Sequence, residues 1–163
     1  MGLYGGFLGW EPDEQKLPDY QKHTHDAGID ITVSYVSYGA THPNTYKITV
    51  SNDLNQHQIV ALSTGGGMIH VEEIDACKVS MDGDCYELLI YLHSQARSLF
   101  NRLQAEFDFI EVTETKGLIN VKSNEAYQQQ FLMAIAENNS VKDIRVLNPV
   151  LPVLKQKNME LPF

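Results

Sequence analysis

At 163 residues the chain has the length of one domain or two small ones, and it can bury a core without metal or disulfide staples. Hydrophobic residues at 43% and charged residues at 20% are ordinary for a folded protein and exclude a disordered chain. Twelve Lys and Arg against twenty-one Asp and Glu give a formal charge of -9, which argues against nucleic acid or an anionic membrane surface as a partner.

No apolar run approaches the roughly 20 residues of a membrane span; residues 147–154 are interrupted by Pro149 and Pro152. The first ten residues lack a basic segment followed by a continuous apolar core, because Gly2, Gly5, Gly6 and Gly9 break it. The expected location is therefore the cytoplasm. Cys77 and Cys85 are too few for a disulfide framework or a thiolate-held cluster, so no metal site is expected in this chain alone.

In chain order, residues 1–10 carry large apolar groups without a cap or a clean period, as in a domain cut from a longer protein. A short helix is predicted over 18–27, with Pro18 in its first turn and Gly28 as a left-handed stop. Ile29, Ile31, Val33 and Tyr35 alternate with polar residues, which predicts a strand. A loop with Gly39 and Pro43 leads to a second alternating strand through Tyr46, Ile48 and Val50. Strands at 59–62 and 68–74 flank Gly65-Gly66-Gly67. Asp82-Gly83 is suited to a tight hairpin joining 76–81 to 85–92, whose register would keep Cys77 and Cys85 from forming a disulfide.

Ser94 is a candidate cap for a helix whose apolar stripe is Ala96, Leu99, Phe100, Leu103 and Phe107. A hairpin around Lys116-Gly117 follows, joining 109–115 to 118–122. Ser123 or Asn124 would cap a second helix carrying Tyr127, Phe131, Leu132 and Ile135, and 141–147 closes the series as a strand. From Tyr86 onward the order is βαββαβ, a split βαβ sandwich with two helices on one sheet face. Residues 150–163 read as a linker or tail.

Three consecutive glycines weaken any regular element and suit a sharp bend or a close approach, and backbone N–H groups freed there can converge on a carboxylate. The spacing is neither a phosphate-loop nor a dinucleotide fingerprint. In His42-Pro43-Asn44-Thr45 an imidazole stands beside a rigid turn and an amide able to orient it or to bind a carboxylate. His23 and His25 read as solvated; His70 and Glu72 share a strand face by alternation, either as an acid/base pair or as an exposed surface.

Taken together, Leu8-Gly9-Trp10-Glu11-Pro12-Asp13, the helix ending at Ala27-Gly28, His42-Pro43-Asn44-Thr45, and Ser63-Thr64-Gly65-Gly66-Gly67 followed by Ile69, Val71, Glu73 and Ile74-Asp75 resemble the β chain of iron-sulfur-dependent L-serine dehydratases. The resemblance covers about the first 80 residues. It implies an α+β protein with an allosteric-substrate-binding-like domain at 1–84 and an ACT-like βαββαβ domain at 85–149. It also implies conversion of L-serine to pyruvate and ammonia, with a [4Fe-4S] cluster acting as Lewis acid in a catalytic α portion. By the same resemblance His42 is the catalytic acid or base, and Asn44, Thr45, Ser63, Thr64, Gly65, Gly66 and Gly67 bind substrate. The expected partners are L-serine or another small amino acid, the α portion, and a second copy of the chain through the ACT-like sheet.

The family's S-S-S-H-T and G-H-G-T motifs and its cluster-binding cysteines are not in this sequence, so the chain alone is expected to be catalytically incompetent. The turn Leu92-His93-Ser94-Gln95-Ala96 also lacks the acidic or proline-glycine loop with which ACT domains contact an amino acid, which favours a dimerising or architectural role there. The alternative reading is a free-standing amino-acid-binding regulatory module.

Overall fold

The structure is a computed structural model that describes residues 2–11, 13–37, 39–40, 42–65 and 68–150. The chain divides into two compact units, 1–39 and 40–163.

The first unit is helical. It comprises α1 (Gly2–Phe7), a 3-10 turn at Leu17–Asp19 and α2 (Tyr20–Asp26). Pro18 lies in the 3-10 turn, where its missing N–H costs nothing, and Gly28 follows α2 at φ +69. The Gly28 and Ile29 amides close α2 by donating to His25 O and Thr24 O. Aromatic contacts hold the unit together: Tyr4 meets Tyr20 at 4.4 Å, and the Trp10 ring meets His23 at 5.1 Å, edge-on. Gly5 is buried so closely against Leu17 that a Cβ there would come within 2.7 Å of Leu17 Cδ2.

The predicted strand at 29–35 is not formed. Those residues lie in irregular backbone with no ladder partner, and Tyr35 is 99% exposed. Alternation is a necessary mark of a half-buried strand, but a strand also needs a neighbour to take its N–H and C=O groups.

The second unit contains two four-stranded antiparallel sheets. The first is a meander of β1 (Thr45–Ser51), β2 (Gln56–Gly65), β3 (Met68–Ile74) and β4 (Cys77–Met81), in that spatial order. The second has the order β6-β7-β5-β8, built from β5 (Tyr86–Leu92), β6 (Glu111–Thr115), β7 (Leu118–Ser123) and β8 (Val141–Leu147). Helix α3 (Arg97–Glu106) connects β5 to β6, and α4 (Gln129–Ala136) connects β7 to β8. The βαββαβ order read from the sequence is therefore present, with the first strand central and both of its neighbours antiparallel to it.

The alternating sides of the second sheet face different layers. Leu88 and Ile90 of β5, with Ile119 and Val121 of β7, pack against Leu99, Phe100 and Leu103 of α3 and Ile135 of α4. On the opposite face Leu89 and Leu118 pack against Ile74, Val79 and Met81 of the first sheet. Helices, sheet and sheet thus form three layers, and β5 reads as a near-continuous apolar run because both its faces are covered. Each fully buried Leu or Ile in these seams contributes on the order of 1.5–3 kcal/mol.

Three local readings are corrected. Asp82-Gly83 does not join a hairpin: β4 pairs with β3, β5 pairs with β7 and β8, and the chain crosses between sheets at 82–85. The tight turn falls instead at Asp75-Ala76, where both residues have positive φ (51 and 63) and Ile74 pairs with Cys77. Ser94 does not cap α3, whose N-cap is Ala96, and α4 starts after Gln128 rather than after Ser123 or Asn124. Ser123 instead accepts the Glu125 amide, closing a local turn that delays the helix. The hairpin at Lys116-Gly117 forms as expected, with Thr115 opposite Leu118 and Gly117 at φ +82.

Candidate functional site

His42-Pro43-Asn44-Thr45 lies at the start of β1. His42 Nδ1 accepts the Asn44 amide at 3.2 Å, and the Thr45 hydroxyl donates to His42 O at 2.6 Å. The turn is closed by its own side chains. With Nδ1 engaged as an acceptor, the neutral ring carries its proton on Nε2.

Because β1 and β2 are antiparallel, the start of β1 lies beside the end of β2. Thr45 is opposite Leu62, and the Ser63 amide donates to Asn44 O at 2.9 Å. Ser63 pairs with Ile69 of β3, and Gly65 with Met68, across a register shift that leaves Thr64 without a partner. Gly65 has φ +96, a conformation that favours glycine, and a side chain there would be strained although the space around it is open. Among the residues singled out from the sequence, the structure thus brings His42, Asn44, Thr45, Ser63, Thr64 and Gly65 to one end of the first sheet. Gly66 and Gly67 lie outside the described residues. His42, Thr45 and Ser63 are half-buried; Asn44, Thr64 and Gly65 are exposed.

The pairing of His70 with Glu72 does not survive. Bulges around Glu72 shift the register on both sides of β3, so simple alternation fails there. His70 Nδ1 instead meets Asp82 Oδ1 at 2.5 Å. At the opposite end of the sheet, His57 Nδ1 meets Asp75 Oδ2 at 2.7 Å while Asp75 Oδ1 accepts the Gln58 amide. Neither partnership is visible in sequence spacing, since the partners are 12 and 18 residues apart and only the ladder register unites them. His25 is exposed as expected, but His23 packs on Trp10.

A second polar cluster lies buried between the sheets. Glu87 Oε2 accepts Asn120 Nδ2 at 2.8 Å, and the Cys85 thiol contacts Glu87 Oε1 at 3.8 Å. Burial is the main cause raising the Glu87 carboxyl above its ordinary value, with the Asn120 hydrogen bond and Lys122 acting against it. Burial, reinforced by the Glu87 charge, pushes the Cys85 thiol up to about 11.

The donor set does not fit an iron-sulfur cluster, which takes three or four thiolates. Cys77 is on the first sheet, its thiol donating to Lys116 O; Cys85 precedes the second sheet. No group of three or more His, Cys, Asp or Glu is placed to hold a metal among the described residues. No helix among them is long and apolar enough to cross a membrane.

No protein-family model matches the chain. It is similar to the probable L-serine dehydratase beta chain of Bacillus subtilis (strain 168), with 26% identity over 90 residues, covering 55% of this chain and 41% of the relative. It is also similar to the L-serine dehydratase beta chain of Peptoniphilus asaccharolyticus, with 27% identity over 90 residues, 54% of this chain and 40% of the relative. The chain spans about two fifths of the length of the curated relatives it matches.

Proposed function

We propose that this chain is the regulatory and substrate-site portion of an iron-sulfur L-serine dehydratase, a lyase that forms pyruvate and ammonia from L-serine. The observation that carries the reading is the Ser63 amide donating to Asn44 O, which joins the histidine turn and the glycine bend at one sheet end. The two beta-chain relatives support the same reading. In it, His42 is the acid or base, presenting Nε2 to substrate, while Asn44, Thr45, Ser63, Thr64 and the glycines 65–67 bind substrate. Backbone N–H groups at a positive-φ glycine bend suit a carboxylate.

The cluster and the remaining catalytic groups belong to an α portion that acts with this chain in the cytoplasm, where the cluster supplies Lewis-acid chemistry on the substrate hydroxyl. In this reading the residues after 84 are an ACT-like domain that pairs with a second copy. The four-stranded order β6-β7-β5-β8 under two helices is consistent with that module.

The test is calorimetry of the chain with L-serine, wild type against His42→Ala, together with pyruvate formation after mixing with a cluster-bearing dehydratase α chain. The expected result is L-serine binding that His42→Ala weakens, and pyruvate only from the mixture. Absence of L-serine binding, or no pyruvate above the α chain alone, overturns the reading. Amino-acid binding and dimerisation without any effect on the α chain would instead establish a free-standing regulatory module.

A further inference from the structure

On the helix-facing side of the second sheet a cavity of about 440 Å³ opens between the connection from α3 to β6 and the connection from β7 to α4. The Ile110 amide donates to Lys122 O at 2.9 Å and ties these two stretches of chain together. Four rings line the cavity: Phe107, Phe109, Tyr127 and Phe131. Phe107 stacks on Phe109 at 5.3 Å and meets Phe131 edge-on at 5.0 Å, while Tyr127 stacks on Phe131 at 6.0 Å. The wall is held from behind: the Tyr127 hydroxyl donates to Val121 O at 2.8 Å, and Phe109, Tyr127 and Phe131 pack on the buried cluster beneath the helices. Phe107 nevertheless keeps 37% of its surface exposed.

The charge of the lining has one sign. Asp108 and Glu125 line the cavity, and no lysine, arginine or histidine does. Both are exposed, and neither carboxylate has a hydrogen bond or ion pair with a described residue. Ser123 Oγ accepts the Glu125 amide at 3.1 Å and fixes the turn that carries that carboxylate. Lys122, the nearest cation along the chain, alternates to the other face of the sheet, where it pairs with Glu111 at 3.3 Å. An anion entering the cavity is repelled, whereas a cation is attracted both by the two carboxylates and by the negative faces of the rings. Concave sites of roughly 300–1,000 Å³ with aromatic walls and a few polar groups are the ordinary form of a small-molecule site.

We propose that this cavity binds a small organic cation, an ammonium carried on an apolar or aromatic body, with the body against the ring wall and the ammonium donating toward Asp108 and Glu125. The site is independent of the histidine turn, which belongs to the first sheet, on the side of the second sheet away from the helices. The rings are already packed against one another, so little order is lost on binding them. The carboxylates stand in solvent and set the charge preference more than the total affinity.

The experiment is an amide chemical-shift titration of the full chain with phenethylammonium, with neutral 2-phenylethanol and with anionic 3-phenylpropionate, for wild type and for Asp108→Asn combined with Glu125→Gln. The wild type is expected to bind phenethylammonium about five-fold or more tighter than the alcohol, with the propionate weakest and the shifts confined to 107–110 and 123–131. The double variant is expected to lose that preference while its affinity for the alcohol changes by less than about two-fold, a discrimination that a general loss of structure does not produce. Equal binding of the three ligands, no binding of the cation, or shifts spread over the acidic surface overturns the inference. A cation preference that survives in the double variant overturns it too. Should that variant fail to fold, the wild type in rising NaCl decides: a preference that shrinks with salt supports the inference, and one that salt leaves unchanged overturns it.

Discussion

Glu87 and Asn120 meet on neighbouring strands of the second sheet, carboxylate to amide at 2.8 Å, at a seam where they are only 2% and 4% exposed. Both face the first sheet, alongside Leu89 and Leu118, so a carboxyl group sits inside an apolar contact between layers. Buried charge of this kind is tolerated only with partners, and here the partners are one amide, one thiol and the nearby Lys122.

That arrangement sets a pH dependence. Burial raises the folded-state carboxyl above its ordinary value of 4.5, so between the two values the folded chain holds a proton that the unfolded chain has released. Stability from this group is full below 4.5 and falls as pH rises through the folded-state value. Glu87→Gln should flatten that fall and raise the melting temperature at pH 8 by about 2–4 °C, the shift that roughly 1 kcal/mol produces at this size. Thermal melts of both proteins from pH 4 to 8 check it; parallel curves would show that Glu87 does not carry the dependence.

The two-residue turn between β3 and β4 places Ala76 at φ 63 without glycine. A left-handed L-residue costs on the order of 1–2 kcal/mol, part of which glycine returns through its greater freedom in the unfolded chain. Ala76→Gly should therefore stabilise by about 0.5–1 kcal/mol in urea unfolding. Asp75→Ala should destabilise, because Asp75 holds both the Gln58 amide and His57.

Leu103 on α3 is fully buried against the helix-facing side of the second sheet. Leu103→Ala should cost about 2–5 kcal/mol, whereas the same change at exposed Leu54 should stay within about 0.5 kcal/mol. Chemical denaturation of the two variants distinguishes a core position from a surface one.

The two thiols should differ in reactivity. Cys85 is buried and its thiol is pushed up to about 11, while Cys77 is partly exposed with a more modest rise caused chiefly by burial. Under native conditions at pH 8 a thiol reagent should modify Cys77 first and Cys85 only on unfolding, with no disulfide between them. Peptide mapping after timed labelling checks the order.

The local code of this chain is strongest where one segment satisfies itself. Gly28 ends a helix, Gly117 turns a hairpin, and Tyr46, Ile48 and Val50 announce a strand, because these preferences act over a few residues. The order of elements after Tyr86 was legible for the same reason. The run at 29–35 carries an equally clear alternation and forms no strand, since alternation does not supply a ladder partner.

Asp82-Gly83 shows the competition most directly. Gly83 adopts its positive φ of 76, as the dipeptide favours, yet no hairpin forms. A turn preference is worth about 1 kcal/mol, whereas β5, apolar on both faces, gains far more from a neighbour on each edge and a layer on each side. The same registers join His70 to Asp82 and Ser63 to Asn44, so the residue types of the candidate site were readable in the sequence, but their company was decided by which strands lie side by side.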